Sequence, residues 1–144
     1  MRAKELLRNE TQMKNGRAVV LVVEDTAIIR MGAIHLVESA GYEALEACDA
    51  DEAIQLLEAR GDIDLAFTDV QMPGTMDGIK LAHYIRDRWP PVKLLVASGM
   101  AIIEESSLPT GSLFSAKPYG EREIVDKMIR LLDDDDRSFA KIEE

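Results

Sequence analysis

Five polar side chains stand where short apolar runs end. Glu24 and Asp25 follow Ala18 to Val23, Asp69 follows Ile63 to Thr68, Ser98 follows Val92 to Ala97, and Lys117 follows Leu113 to Ala116. Gathered in one pocket, Glu24, Asp25 and Asp69 would repel one another unless a cation bound or a carboxyl took up a proton. A divalent ion together with the Lys117 ammonium balances the three charges. Hard oxygen ligands and room for water suit Mg²⁺, which takes a few carboxylates plus phosphate oxygens, whereas Ca²⁺ would need more protein oxygens than these residues offer. Such a pocket is prepared for a phosphoryl group, because catalysis of that transfer is largely positioning and charge neutralisation. Asp69 is the candidate nucleophile, forming an acyl phosphate. Mg²⁺, Lys117 and the Ser98 hydroxyl would each take one phosphoryl oxygen.

What must bring these residues together is a parallel sheet. The apolar runs have strand length, and Pro73 with Gly74 breaks the chain after Asp69 before a helix can start. The runs alternate with helical patterns, which argues for βαβ units. Parallel strands put their C-terminal ends on one edge, where open α/β sheets bind ligands. A helix capped by Thr26 runs through about Ala40, with Ile28, Ile29, Ala33, Leu36 and Val37 inward and Gly41 as its stop. The second strand is Tyr42 to Ala47, with Cys48 read as part of its end, and a helix follows from about Asp51 to Ala59. Gly78 to Arg88 forms the next helix, which Pro90 and Pro91 stop. Between Ser98 and Lys117 space is tight, so the helix Ala101 to Ser107 is expected to be short or irregular. Glu121 to Leu132 is the last helix, amphipathic and docked on the sheet.

Composition sets further limits. A chain of 144 residues with 47% hydrophobic content suits one domain with a proper core. Residues 1–17, with five basic and two acidic side chains, read as an N-terminal arm, residues 18–132 as the domain, and residues 133–144, with six acids and two bases, as a solvated acidic tail. No apolar stretch approaches the roughly 18 residues needed to span a bilayer, and no secretory signal is visible. A cytoplasmic location and no membrane partner are expected. The net charge of -10 disfavours nucleic acid. Cys48 stands alone, so it offers no disulfide framework and is expected to fill core. His35 and His83 lie within helical segments, away from the strand ends, and read as surface or boundary residues.

With these residues in place, positions 18–132 resemble the receiver domain of bacterial two-component response regulators. The resemblance implies a flavodoxin-like, doubly wound α/β fold with a five-stranded parallel sheet in the order 2-1-3-4-5. It makes Asp69 the phosphoacceptor, Glu24 and Asp25 the acid pair, Ser98 and Lys117 the phosphoryl-binding hydroxyl and ammonium, and Phe114 a switch aromatic. It implies Mg²⁺ held by Asp25, Asp69 and the Gln71 backbone carbonyl, with Glu24 acting through a metal-bound water. A cis peptide before Pro118 and a hydrolysis-tuning role for Gln71 and Met100 are likewise implied. The turn after Asp69 departs from the family form by one residue, since Gly74 and Thr75 fill a place that usually holds one.

The implied function is that of a signalling module. A histidine kinase or phosphotransfer protein donates a phosphoryl group to Asp69, and the face formed by Ala101 to Ser107, the fifth strand and the last helix changes shape for a downstream protein. With no effector domain after residue 132, output is expected to go through binding, and no enzymatic activity beyond slow self-dephosphorylation is expected. Family members often pair through the last helix, which leaves a weak homodimer open. One alternative is a receiver-like scaffold that binds partners without phosphorylation. An aspartate-nucleophile phosphatase is disfavoured, because the general acid it needs two residues after the nucleophile is replaced by Gln71.

Overall fold

The computed structural model describes residues 16–99 and 103–143. Strands Val19–Val23 (β1), Glu43–Ala47 (β2), Leu65–Asp69 (β3), Lys93–Ser98 (β4) and Leu113–Ala116 (β5) form one parallel sheet in the order β2-β1-β3-β4-β5. Helices Ala27–Ser39 (α1), Ala50–Ala59 (α2), Gly78–Arg88 (α3) and Glu121–Glu143 (α4) complete the doubly wound α/β fold that the strand and helix patterns predict. A single 3₁₀ turn, Glu105–Ser107, stands among the described residues between β4 and β5. The expected short connection is therefore observed over its second half, while residues 100–102, Met100 included, lie outside the described residues. The same holds for residues 1–15 of the arm.

The central strands read as unbroken apolar runs because both their faces are covered. Val19, Leu21, Val23, Ala66, Leu94 and Val96 pack towards Ala53 and Leu57 of α2 and Leu81 and Ile85 of α3. Val20, Val22, Leu65, Phe67, Leu95 and Ala97 pack on the other face towards Leu36 and Val37 of α1 and Ile124 and Met128 of α4. Burial of each Val, Leu, Ile, Phe or Met among them contributes about 1.5–3 kcal/mol. Register then fixes the polar edge: Val23 pairs with Ala47 and Thr68, Asp69 with Ala97, and Ser98 with Ala116. Helix starts are secured by side chains. Asp49 accepts from the Glu52 amide at 2.9 Å and Asp77 from the Lys80 amide at 2.9 Å, caps worth about 1 kcal/mol each.

Four expectations are corrected. Ile28 is 76% exposed and Ile29 38%. The inward stripe of α1 is Ala33, Leu36 and Val37, and residues 28, 31 and 35 follow one another at helical spacing on the opposite side. Thr26 holds an extended N-cap backbone, but its side chain makes no cap bond; its amide donates instead to Glu24 Oε2 at 3.1 Å. Cys48 lies just beyond β2, half-exposed rather than in the core, because its amide is drawn to Glu52 Oε1 at 2.8 Å in the turn that starts α2. Finally, residues 133–143 continue α4 instead of leaving it as an irregular tail. No glycine or proline falls between Glu121 and Glu143, so nothing in the backbone stops the helix.

Candidate functional site

Each strand delivers its polar residue to the same edge. Asp69 is the last residue of β3 and Ser98 the last of β4, while Glu24 and Lys117 come directly after β1 and β5. Glu24 and Asp69 are buried, Ser98 wholly so, and Asp25 is exposed. Lys117 Nζ lies 3.0 Å from Glu24 Oε1 and 3.0 Å from Asp69 Oδ1, and so bridges the two buried acids. The peptide between Lys117 and Pro118 is cis, as the resemblance implies.

Glu24 is fixed from several sides. Besides Lys117 it holds the Thr26 amide, and Arg30 Nη1 donates to its backbone carbonyl at 2.8 Å while Arg30 Nε pairs with Glu46 Oε1 at 2.9 Å. Burial raises the Glu24 carboxyl above its usual value, against the lowering effect of the Thr26 and Lys117 hydrogen bonds. Asp69 is raised as well, first by burial, with Lys117 opposing. For Lys117, burial works downward, yet its pairing with the Asp69 and Glu24 carboxylates outweighs it and the net shift is up. The pocket thus carries more buried negative charge than its ammonium offsets.

A cation answers that imbalance. Glu24, Asp25 and Asp69 each bring a carboxylate oxygen to a cluster whose atoms all lie within 4.8 Å of one another. Asp69 Oδ1 meets Lys117 in an ion pair without a hydrogen bond, leaving a buried oxygen short of a donor. A hard, oxygen-only donor set with one exposed side fits Mg²⁺.

The remaining expected residues fall around this edge. Gln71 lies two residues past Asp69, with its side chain on Ser98: Nε2 to Oγ is 3.0 Å. Phe114 is half-buried against the cluster that includes Val96 and Leu108, and its carbonyl accepts from Lys127 Nζ at 2.6 Å. His35 is exposed on α1, and the His83 ring meets the Ser107 carbonyl at 2.8 Å, so neither stands at the acidic pocket.

Three neighbours are not among the residues that the sequence points to. Tyr119 lines the pocket beside Glu24, Asp69 and Lys117, its ring 5.7 Å from that of Phe67 and its hydroxyl pushed up by burial. Its place two residues after Lys117 was the available signal. Arg30 gave none, since what it holds at the site is the Glu24 backbone carbonyl. Gly78 donates its amide to the Val70 carbonyl at 2.9 Å, closing the turn that follows Asp69.

Among the described residues, no helix is long and apolar enough to cross a membrane. Known proteins resemble the chain over most of its length. It is 32% identical over 140 residues to the sensor kinase CckA of Brucella abortus, covering 93% of this chain but 14% of that kinase. It spans about half the length of the transcriptional regulatory protein PdtaR of Mycobacterium tuberculosis, with 34% identity over 109 residues. Among solved structures, the receiver domain of the hybrid histidine kinase CckA matches with a TM-score of 0.68 and 33% identity, over 80% of this chain and 99% of that one. A model of the response regulator receiver domain matches residues 20–128, and the chain belongs to that family.

Proposed function

We propose that this receiver domain takes a phosphoryl group onto Asp69 from the phosphohistidine of a kinase or phosphotransfer protein, with Mg²⁺ bound, and signals through a change in its protein-binding surface. The observation that carries this reading is the meeting of Asp69 with Lys117 at 3.0 Å, inside a cluster of carboxylates at the sheet edge. Glu24, Asp25 and Asp69, with the Gln71 backbone carbonyl, would hold the ion. When bound, Mg²⁺ supplies charge neutralisation and a ligand position for a phosphoryl oxygen.

The chain's own groups do the rest. An Asp69 carboxylate oxygen attacks phosphorus, the bond from phosphorus to the donor histidine nitrogen breaks, and that nitrogen keeps the electron pair. Lys117 is already placed beside Asp69 to neutralise the transferred charge, and Glu24 holds Lys117 in that position. Ser98 then binds a phosphoryl oxygen, and Phe114 follows it inward as the switch. Burial of Asp69 keeps water from the acyl phosphate, and slow self-dephosphorylation is the only hydrolysis we assign.

Exposed Ile28 and Met31, on the outer side of α1 just past the acid pair, give a donor protein an apolar surface next to the acceptor. A cytoplasmic location is inferred from the phosphodonor such a site requires. The test is intact mass after incubation with Mg²⁺ and acetyl phosphate, beside Asp69→Asn and a chelated sample. One phosphoryl adduct on the wild type alone, lost on chelation, supports the reading. An adduct that persists in Asp69→Asn overturns it.

A further inference from the structure

Gln71 stands just past the end of β3, and the sheet register sets what it can reach. Asp69 pairs with Ala97, and the Val70 amide still donates to the Ala97 carbonyl at 3.0 Å, so the chain leaves the sheet beside Ser98. From there the Gln71 carboxamide lies side-on to the Ser98 hydroxyl. Nε2 donates to Oγ at 3.0 Å, and Oγ is 3.3 Å from Oε1, an acceptor for its proton. Ser98 is fully buried, and its carbonyl accepts from the Lys117 amide at 2.8 Å. A serine hydroxyl has two lone pairs but a single proton. A phosphoryl oxygen on Asp69 only accepts, so it needs that same proton.

We propose that the Gln71 side chain is a latch on Ser98, engaging its hydroxyl in the resting state, so that Ser98 has to leave the Gln71 carboxamide oxygen before it can donate to a phosphoryl group on Asp69. The proposal rests on the reading of Asp69 as phosphoacceptor. It makes the Gln71 side chain a positioning residue that acts through Ser98, separate from any effect of position 71 on hydrolysis. The resting state owns a hydrogen bond that the phosphorylated state gives up, which is the differential contact a two-state switch requires. In the same step the turn after Asp69 and the end of β4 lose one of their links.

The test uses an equilibrium in which nothing is hydrolysed: Mg²⁺-dependent binding of beryllofluoride, a phosphoryl mimic, to the wild type, Gln71→Met, Ser98→Ala, the double variant of these two, and Asp69→Asn. Methionine keeps the length of the side chain and removes the amide. Loss of one neutral hydrogen bond from the resting state is expected to tighten binding by about two- to tenfold in Gln71→Met, with no gain from the same change in the Ser98→Ala background. The Gln71 side-chain amide resonances of the ligand-free protein should also move on Ser98→Ala. Equal or weaker binding by Gln71→Met, an equal gain in both backgrounds, or unmoved amide resonances would overturn the latch and leave Asp69 as acceptor. Binding that survives Asp69→Asn, or none by the wild type, would overturn the acceptor reading and the latch together.

Discussion

Gly78 lies directly against the backbone of Asp69. A Cβ at position 78 would fall on the Asp69 carbonyl oxygen, 2.7 Å from its carbonyl carbon and 2.8 Å from Val70 Cα. The start of α3 can therefore close on the end of β3 only without a side chain. Gly78→Ala is expected to destabilise the fold by about 1–3 kcal/mol, the usual cost of forcing atoms into packed space, and to slow adduct formation by shifting Asp69. Gly32→Ala, in the exposed middle of α1 with nothing within 4 Å, should instead gain roughly 0.5–1 kcal/mol. Thermal melts of both variants decide the matter. A Gly78→Ala protein that melts with the wild type would show that the contact yields freely.

The buried acids set a pH dependence whose sign is unusual for carboxylates. Asp69 and Glu24 are raised above their ordinary values, first by burial. A group with a raised folded-state pKa stabilises the fold below its unfolded value and loses that contribution as pH rises through the folded one. In the metal-free protein at neutral pH, then, Asp69 is a cost. Asp69→Asn should melt higher than the wild type at pH 7, by on the order of a few degrees, and the gap should close as pH falls through the carboxylate range. Melting curves of the two proteins with chelator, taken from pH 4 to pH 8, measure this. A gap that widened towards low pH would reverse the assignment.

The positions that strand ends dictate were legible in the sequence, because period and length place a residue at the end of a strand without knowledge of its neighbours. Asp69, Ser98, Glu24 and Lys117 are of this kind. Contacts made by a loop side chain or by bare backbone leave no periodic trace. Gln71 reaches Ser98 because of where the register releases the chain, and Gly78 is required by an approach of two backbones that no pattern of apolar residues encodes. Ile28 misled for a related reason: a run of apolar residues at the start of a helix does not say which of them faces the sheet. The length of α4 was missed because four aspartates resemble a solvated tail, although charge alone does not stop a helix that lacks glycine and proline.

Ile28 and Met31 give a prediction that separates donor docking from chemistry. They are 76% and 64% exposed, at i, i+3 spacing on α1, and neither is among the residues at the acidic pocket. Ile28→Asp with Met31→Asp should leave the yield from acetyl phosphate unchanged, because a small donor needs no docking surface. Transfer from a phosphorylated histidine kinase or phosphotransfer protein should fall by about tenfold or more, since losing two apolar contacts of 1–2 kcal/mol each is enough to do so. Rates for both donors test this together. Equal rates from the protein donor would place docking elsewhere.

Lys117 bridges two buried carboxylates, and its removal should separate metal binding from phosphoryl transfer. Lys117→Gln leaves Glu24, Asp25 and Asp69 in place without their ammonium. Breaking a largely buried ion pair on one side costs on the order of 3 kcal/mol, so the metal-free variant should melt well below the wild type. Mg²⁺ supplies the missing positive charge and binds the folded state, so it should restore more stability to the variant than it adds to the wild type. Phosphoryl transfer is another matter, because the ammonium acts where the transferred charge arrives. Loss of one such group typically costs about 10²–10³ in rate, and Lys117→Arg should not recover it, since a planar guanidinium cannot stand in for a compact point charge between Glu24 and Asp69. Melts with and without Mg²⁺, beside adduct formation from acetyl phosphate, read the two effects separately. A variant that kept near-normal transfer would remove Lys117 from the reaction, and one that gained nothing from Mg²⁺ would show that the ammonium is needed to hold the carboxylates in a metal-binding arrangement.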